Sequence, residues 1–449
     1  MKSIQIGEIR KMVKVVKFGG SSLADANQFR KVMNIINAEN DRKYVVPSAP
    51  GKRSKEDTKV TDLLYRCYEL VAKGENIDEA FSVIMDRYNS IIADLGLTLD
   101  LSSEFEHIKN SMIHKAGRDY AASRGEYLSG MVLANALGYK FIDAADVIFF
   151  KEDGSLDSEK TNEVLSDVLK NCENAVIPGF YGVMPNDTVK TFSRGGSDIT
   201  GSIVARAVEA DLYENWTDVN GFLMADPRVV KDPLTISKIT YRELRELSYM
   251  GATVLHEDAI FPLRTSGIPI NIRNTNHPEE AGTMIVAKSD GYDHQRVITG
   301  IAGKHGFSTI FIEKDMMNSE IGFGRRVLEV LERENISFEH LPSGVDTMTV
   351  VVSTDVLEGK LDKIVEKLQA AVNPDNITVN DGIALIAVVG RGMKNAKGTA
   401  ARIFKAIAEA DVNIRMIDQG SSELNIIIAV DECDFEKAMN AIYHEYVND

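Results

Sequence analysis

The chain has 449 residues, 44% of them hydrophobic and 26% charged, the make-up of an ordinary globular protein with room for two to four domains. Its formal net charge of −16 excludes a nucleic-acid partner, which needs a basic stripe, and no apolar run nears the roughly 18 residues of a membrane span. The N-terminal MKSIQIGEIRK lacks the hydrophobic stretch of a secretion signal, and Cys67, Cys172 and Cys433 lie scattered without metal-ligand spacing, so reduced thiols in a cytoplasm are expected.

In chain order, a short β-rich run at 13–18 is followed by a helical pattern at 28–38 and a second run at 44–46. Helices are predicted at 61–73, 77–95 and 124–137, a strand at 141–143, a helix at 159–171 and a strand at 175–177. A helix at 199–208, a strand-like stretch at 210–215, a helix at 242–249 and a strand at 268–272 complete this part. The alternation predicts a layered α/β domain with a largely parallel sheet. The segment 54–59, SKEDTK, is charged and polar and is predicted to be a mobile surface loop.

A second architecture begins near Ile298. Residues 324–341 and 400–417 share one pattern: an amphipathic helix, a short polar turn, then a β-run, with Leu331 matching Ile407 and Ile336 matching Val412. Such self-similarity predicts a duplicated α+β unit; two unrelated helix–strand pairs are the plainer alternative.

Two glycine turns carry the polar chemistry. Lys17-Phe18-Gly19-Gly20-Ser21-Ser22 follows the first strand. Its glycines allow close backbone approach, and its hydroxyls and the N–H groups of the next helix suit phosphate oxygens. It is not a P-loop, since no G-x-x-x-x-G-K-[ST] occurs in the chain, and a plain β–α turn with a surface lysine stays open. In the second turn, 193–201, Arg194 is suited to bidentate capture of a carboxylate. Asp198 is placed either to cap the helix or to orient Lys17 or a magnesium-bound water. The polar runs WTDVNG at 216–221 and ADPR at 225–228 read equally as a nucleotide rim or as turns.

Taken together, KFGGSS, VVPSAPGK followed by VTDLL, RGEYLS, GFYG, SRGGSDITGSIVA, WTDVNGFLMADPR, GATVLHEDAI and QGSSELNI resemble the amino acid kinase family, and the aspartate kinases within it, in the family's own order. The resemblance covers the chain from about Val13. It implies a mostly parallel α/β catalytic domain at 1–296. Two α+β, ferredoxin-like ACT domains would follow at 297–380 and 381–449, interleaved in sequence. The reaction implied is phosphorylation of the side-chain carboxylate of L-aspartate by ATP, with Mg2+ held mainly by the phosphates.

Carried over by position, Lys17 and Asp198 are the expected catalytic pair, and Lys17, Gly19, Gly20, Ser21, Thr217, Asp218, Asp226 and Arg228 the nucleotide contacts. Ser48, Thr61, Glu126, Phe180, Arg194 and Ser197 are the expected aspartate pocket. Glu126 would take the ammonium and Arg194 a carboxylate, although Glu126 also reads as a solvated helix face and Thr61 as a helix N-cap. An end-product amino acid, with lysine favoured, would bind at Met317, Ser319, Phe323, Gly324, Ser337, Phe338 and Glu339. The partners implied are aspartate, ATP, that effector and a second copy of the chain paired through the ACT domains, with a dimer of dimers as the larger alternative.

Two departures stand out. Thr253 occupies the place where relatives often carry a nucleotide-contacting lysine, and Glu257 follows His256 where proline is common. Other carboxylate kinases of the family are disfavoured by the paired repeats. A sensing protein with a decayed site is disfavoured by the presence of Lys17, Glu126, Arg194 and Asp198. No glycine fingerprint of a fused dehydrogenase follows the repeats before Asp449.

Overall fold

The computed structural model describes residues 12–193, 195–252, 263–288 and 296–447. They form two compact units: one takes the described residues within 1–222, 237–241 and 254–289, the other those within 223–236, 242–253 and 290–449.

The first unit is built on an eight-stranded sheet of order β3-β4-β2-β1-β7-β9-β10-β8. Its strands are β1 (Lys14–Phe18), β2 (Arg42–Pro47), β3 (Lys140–Phe141), β4 (Ala175–Val176), β7 (Leu212–Thr217), β8 (Lys238–Thr240), β9 (Ile270–Asn274) and β10 (Thr283–Val286). All neighbours pair in parallel except β9 and β10, which confirms the α/β class. β5 (Tyr181–Val183) and β6 (Val189–Thr191) form a separate hairpin.

Val15 and Val16 of β1 and Tyr44, Val45 and Val46 of β2 are consecutive buried residues because both faces of these strands are covered. Val16, Phe18 and Val45 enter a core with side chains from α1 (Ala26–Asn37), α2 (Val60–Ala72), α3 (Asp78–Leu95), α4 (Ser102–Ile113) and α5 (Arg118–Leu137). Three further helices are α6 (Ala144–Val147), α7 (Ser158–Lys170) and α8 (Gly196–Ala207). Arg42 of β2 reaches across β1 to Glu214 of β7 at 2.8 Å, and Trp216 Nε1 donates to the same carboxylate at 2.9 Å. Both charges are buried, at 3% and 1% exposure, so each survives only because the other is there.

α5 passes so close to the end of β2 that a Cβ on Gly125 would lie 2.6 Å from the Ala49 Cβ. That approach fixes the height of the next residue, Glu126. α4, the edge strand β8, its neighbour β10 and the start of α5 lie outside the sequence expectation. They are short or polar, and tertiary pairing rather than pattern defines them. The 54–59 loop lies at the surface, as expected, and is anchored at one residue. Asp57 accepts from Arg53 and from Arg87, and Arg87 is itself 4% exposed and donates to the carbonyls of Ala24 and Gly51.

The second unit carries a five-stranded antiparallel sheet of order β12-β11-β13-β15-β14. Its two long strands, β11 (Gly300–Glu313) and β13 (Asn376–Val389), lie side by side. Residues 300–304 pair with 385–389, and 307–313 with 376–383. The flanking strands are β12 (Thr347–Ser353), β14 (Met416–Asp418) and β15 (Asn425–Asp431). Helices α10 (Phe323–Arg333) and α11 (Leu361–Val372) cover one half through Val327, Leu331, Ile364 and Leu368. α12 (Thr399–Glu409) and α13 (Phe435–Val447) pack as the matching pair. The duplication read from 324–341 and 400–417 is therefore present as two helix–strand units on one sheet. α9 (Tyr241–Tyr249) follows directly on β8, and from Arg242 onward it belongs to this second unit.

The Gly125 contact yields a first prediction. Gly125→Ala gains up to about 1 kcal/mol of helix propensity but overpacks against Ala49 at a cost of about 1–3 kcal/mol. The thermal midpoint should fall by a few degrees. A midpoint at or above the parent value, by calorimetry, would show that the two backbones can part freely.

Candidate active site

The site assembles around the C-terminal ends of β1 and β7. Lys17 and Asn215 are register partners on these parallel strands, so their side chains project to the same side. Lys17 Nζ lies 2.5 Å from Asp198 Oδ1 and 3.3 Å from Asn215 Oδ1, while Asn215 Nδ2 donates to Asp198 Oδ1 at 2.8 Å. The lysine is only 7% exposed, and an ammonium in such surroundings needs this partner. Asp198 sits in the first turn of α8 but does not cap it: the cap residue is Gly195, in the left-handed region at φ 61°, with no side-chain cap bond. The open α8 N-terminus therefore adds its positive dipole end to the cation of Lys17.

The first glycine turn differs from its expected geometry. Residues 20–23 form a 3-10 turn, and the following α1 is capped by Asp25, whose carboxylate accepts from the Gln28 N–H. Gly19 N–H donates to the Trp216 carbonyl at 3.0 Å. Of these two helix N-termini, that of α8 is the one without a side-chain cap bond. The glycines serve close approach: Gly51 N–H donates to Gly20 O at 2.8 Å, and a Cβ on Gly20 would lie 2.9 Å from the Ala49 carbonyl. Ser48 is held alongside by its N–H to Phe18 O at 3.0 Å. Ser21 is half-buried at the turn.

Glu126 is no solvated helix residue. It is 5% exposed, and its Oε2 is buried without a hydrogen-bond partner among the described residues. Burial pushes its carboxyl up to about 8, against the opposing pull of the Ala49 and Glu126 backbone and of the Arg124 and Lys17 charges. Arg124, two residues earlier, is buried among the rings of Tyr120, Tyr127 and Tyr181. Thr61 is the second residue of α2, whose cap position is Lys59, so the N-cap role does not apply to it.

Phe180 adopts φ +83°, a costly conformation for a bulky residue. Its N–H is taken by Thr200 Oγ1 at 3.0 Å, and a Cβ on Gly196 would meet its ring at 2.4 Å. Gly179 lies equally tight on Ser197. This strained turn faces the start of α8. Arg194, Thr253, His256 and Glu257 lie outside the described residues.

Of the nucleotide rim, Thr217 and Asp218 end β7, joined by a 3.2 Å hydrogen bond. Asp226 and Arg228 belong to the second unit and pair with each other, Arg228 Nη2 reaching Asp226 Oδ2 at 2.5 Å. In the effector set, Met317 and Phe323 are core residues, 6% and 4% exposed. Ser319, Ser337 and Phe338 are exposed, Gly324 is half-buried, and Glu339 accepts from the Tyr249 hydroxyl. Asn215 and Arg87 escaped the sequence reading, because nothing local marks which strand neighbours β1 or where a helical arginine points.

A buried lysine on an aspartate beside an open helix terminus, together with an unpaired buried carboxyl, is the apparatus of a phosphoryl-transfer enzyme acting on an amino acid. The amino acid kinase family model matches residues 12–274 and an ACT domain model residues 386–446. Aspartokinase 3 of Bacillus subtilis is 38% identical, covering 97% of this chain and 98% of its own. The crystal structure of Clostridium acetobutylicum aspartate kinase is 53% identical with a TM-score of 0.88, covering 97% and 100% of the two chains. That of E. coli aspartokinase III with lysine and aspartate, in a T-state, is 25% identical with a TM-score of 0.71, covering 97% and 99%. The chain belongs to the amino acid kinase family, in its aspartate kinase branch with C-terminal ACT domains.

The orphan carboxyl has a measurable cost. Its folded pKa lies above the usual value, so the stability it allows is complete below the unfolded pKa of about 4.3 and is lost as pH rises towards 8. Each unit of that displacement is about 1.4 kcal/mol. Glu126→Gln should therefore raise the melting temperature of the ligand-free protein at pH 8–9, with the gain shrinking towards pH 5. A pH-independent difference in thermal melts would contradict the burial of an ionisable Oε2.

Proposed function

We propose that the chain transfers the γ-phosphoryl group of ATP to the side-chain carboxylate of L-aspartate, giving 4-phospho-L-aspartate and ADP, and that lysine regulates this reaction. The observation that carries the reading is the buried Lys17–Asp198–Asn215 cluster together with a buried Glu126 whose Oε2 has no partner among the described residues, in a chain of the aspartate kinase branch.

The side-chain carboxylate of aspartate, with a pKa near 3.9, is almost wholly ionised at pH 7. It needs no general base. One of its oxygens attacks the γ-phosphorus, and the bond from that phosphorus to the leaving ADP oxygen breaks. Catalysis then rests on alignment and charge neutralisation. Lys17, held by Asp198 and Asn215, meets the transferring oxygens, and the α8 N-terminus lies ready for the same charge. Glu126 gives up its proton and receives the substrate ammonium. Arg194 receives a carboxylate, while Ser48, Thr61, Phe180 and Ser197 shape the pocket. Gly19, Gly20 and Ser21 contact the phosphates, and Thr217, Asp218, Asp226 and Arg228 the rest of the nucleotide. Magnesium would arrive with the nucleotide, held mainly by its phosphates. A cytoplasmic homodimer paired through the ACT domains suits the three free cysteines and the duplicated sensing unit.

Lys17→Met should lower kcat by about 10²–10³ with little change in KM, because the cation matters most as the phosphoryl group moves. Aspartate-dependent ADP release, with hydroxylamine trapping of the acyl phosphate, measures both the reaction and the variant. Near-parental turnover would remove Lys17 from the mechanism.

Regulation rests on Glu339, whose carboxylate suits an ammonium on an apolar stem, whereas threonine offers only a hydroxyl. Lysine should inhibit ADP release, and Glu339→Ala should weaken that inhibition about tenfold or more. Inhibition by threonine alone, or lysine inhibition unchanged in the variant, would defeat the lysine assignment and leave the kinase reading intact.

A further inference from the structure

α9 joins two structural systems. It follows β8 of the eight-stranded sheet, whose β1 and β7 carry Lys17 and Asn215. Its polar residues Glu243, Glu246 and Tyr249 recur every third position, which lines them along one helix face. Each holds a different part of the ACT unit. Glu243, 1% exposed, receives Arg391 Nε at 3.0 Å and the Thr299 hydroxyl at 2.7 Å. Glu246 receives Asn425 Nδ2 at 2.7 Å. Tyr249 donates its hydroxyl to Glu339 Oε2 at 2.5 Å, with Lys304 Nζ 5.0 Å from its ring centroid.

We infer that Tyr249 is a positioning residue that reports effector occupancy to α9: its hydroxyl bonds the Glu339 carboxylate, and the ammonium of an amino-acid effector competes with it for that oxygen. This rests on the reading that Glu339 receives the effector. An ammonium forms a charge-assisted bond, stronger than that of a neutral phenol, so it wins the carboxylate and frees the C-terminal end of α9. The Tyr249–Glu339 bond then belongs only to the effector-free arrangement. By linkage, whatever favours that arrangement opposes binding.

The test is Tyr249→Phe, which keeps the ring and its contact with Lys304, studied in the full-length enzyme with L-lysine by calorimetry and by inhibition of ADP release. Without the competing phenol, lysine should bind about five-fold more tightly, and the half-inhibiting concentration should fall by the same factor. A merely structural role would not tighten binding. Glu339→Gln should weaken lysine binding in either background. Lysine affinity unchanged or weaker in Tyr249→Phe, while Glu339→Gln still weakens it, overturns the role of Tyr249 and leaves the effector reading standing. Lysine affinity indifferent to Glu339→Gln overturns both.

Discussion

A buried ammonium cannot stand alone, and the geometry of the catalytic unit follows from meeting that need for Lys17. Its partners come from two distant places: Asp198 from the first turn of α8 and Asn215 from the next strand of the sheet. Each binds the other as well as the lysine, so the three form a closed triangle rather than a simple pair. Such a triangle forms only if β1 and β7 are parallel neighbours in the correct register and α8 begins where it does. The Arg42–Glu214 pair spanning β1 enforces the same neighbourhood from within the sheet. Removing one partner from a buried pair typically costs about 3–5 kcal/mol, so the catalytic cation and the strand order are stabilised together.

The opposite choice was made at Glu126. Close packing of α5 on Ala49 through Gly125 buries a carboxyl and leaves one oxygen unbonded. The fold gives up stability there, as sites prepared for a ligand commonly do. Phe180 is a second such place, with a backbone conformation maintained by Thr200 and by the lack of a side chain on Gly196. Cost thus gathers on the two elements that flank Lys17, while the apolar core beneath them carries the gain from burial.

The strand–helix alternation and the α+β repeat were legible in the sequence, because continuous apolar runs and amphipathic periods report burial directly. Lys17 and Asp198 stood out at their glycine turns with plainer readings beside them, whereas Glu126 was singled out only through motif resemblance. Nothing in a single sequence says that Glu126 is buried, since the side chain is charged and the small residues around it, Gly125 and Gly130, look like weak points in a helix. Asn215 was invisible for a different reason: its role comes from register across a parallel pair separated by 198 positions. The glycines and serines ahead of α1 suggested free N–H groups at its start, whereas Asp25 caps it, because a cap depends on the local turn and not on composition.

In the regulatory unit the duplication is reproduced down to single hydrogen bonds. Glu339 N–H donates to Val351 O, and Arg415 N–H donates to Ala429 O, each at 2.8 Å. The two residues therefore occupy equivalent backbone positions with opposite charge, and Arg415 faces Asp431 at 3.5 Å. One copy offers a carboxylate where the other offers a guanidinium, so a single cationic effector has one acceptor on the pair. β11 and β13 run through both halves and pair in two stretches, 300–304 with 385–389 and 307–313 with 376–383, the register shifting between them, so the copies share one sheet. α9 is bonded to this unit at three points along one face, Tyr249 to Glu339 of one copy and Glu243 and Glu246 to Arg391 and Asn425 of the other, so its position is set by both copies at once.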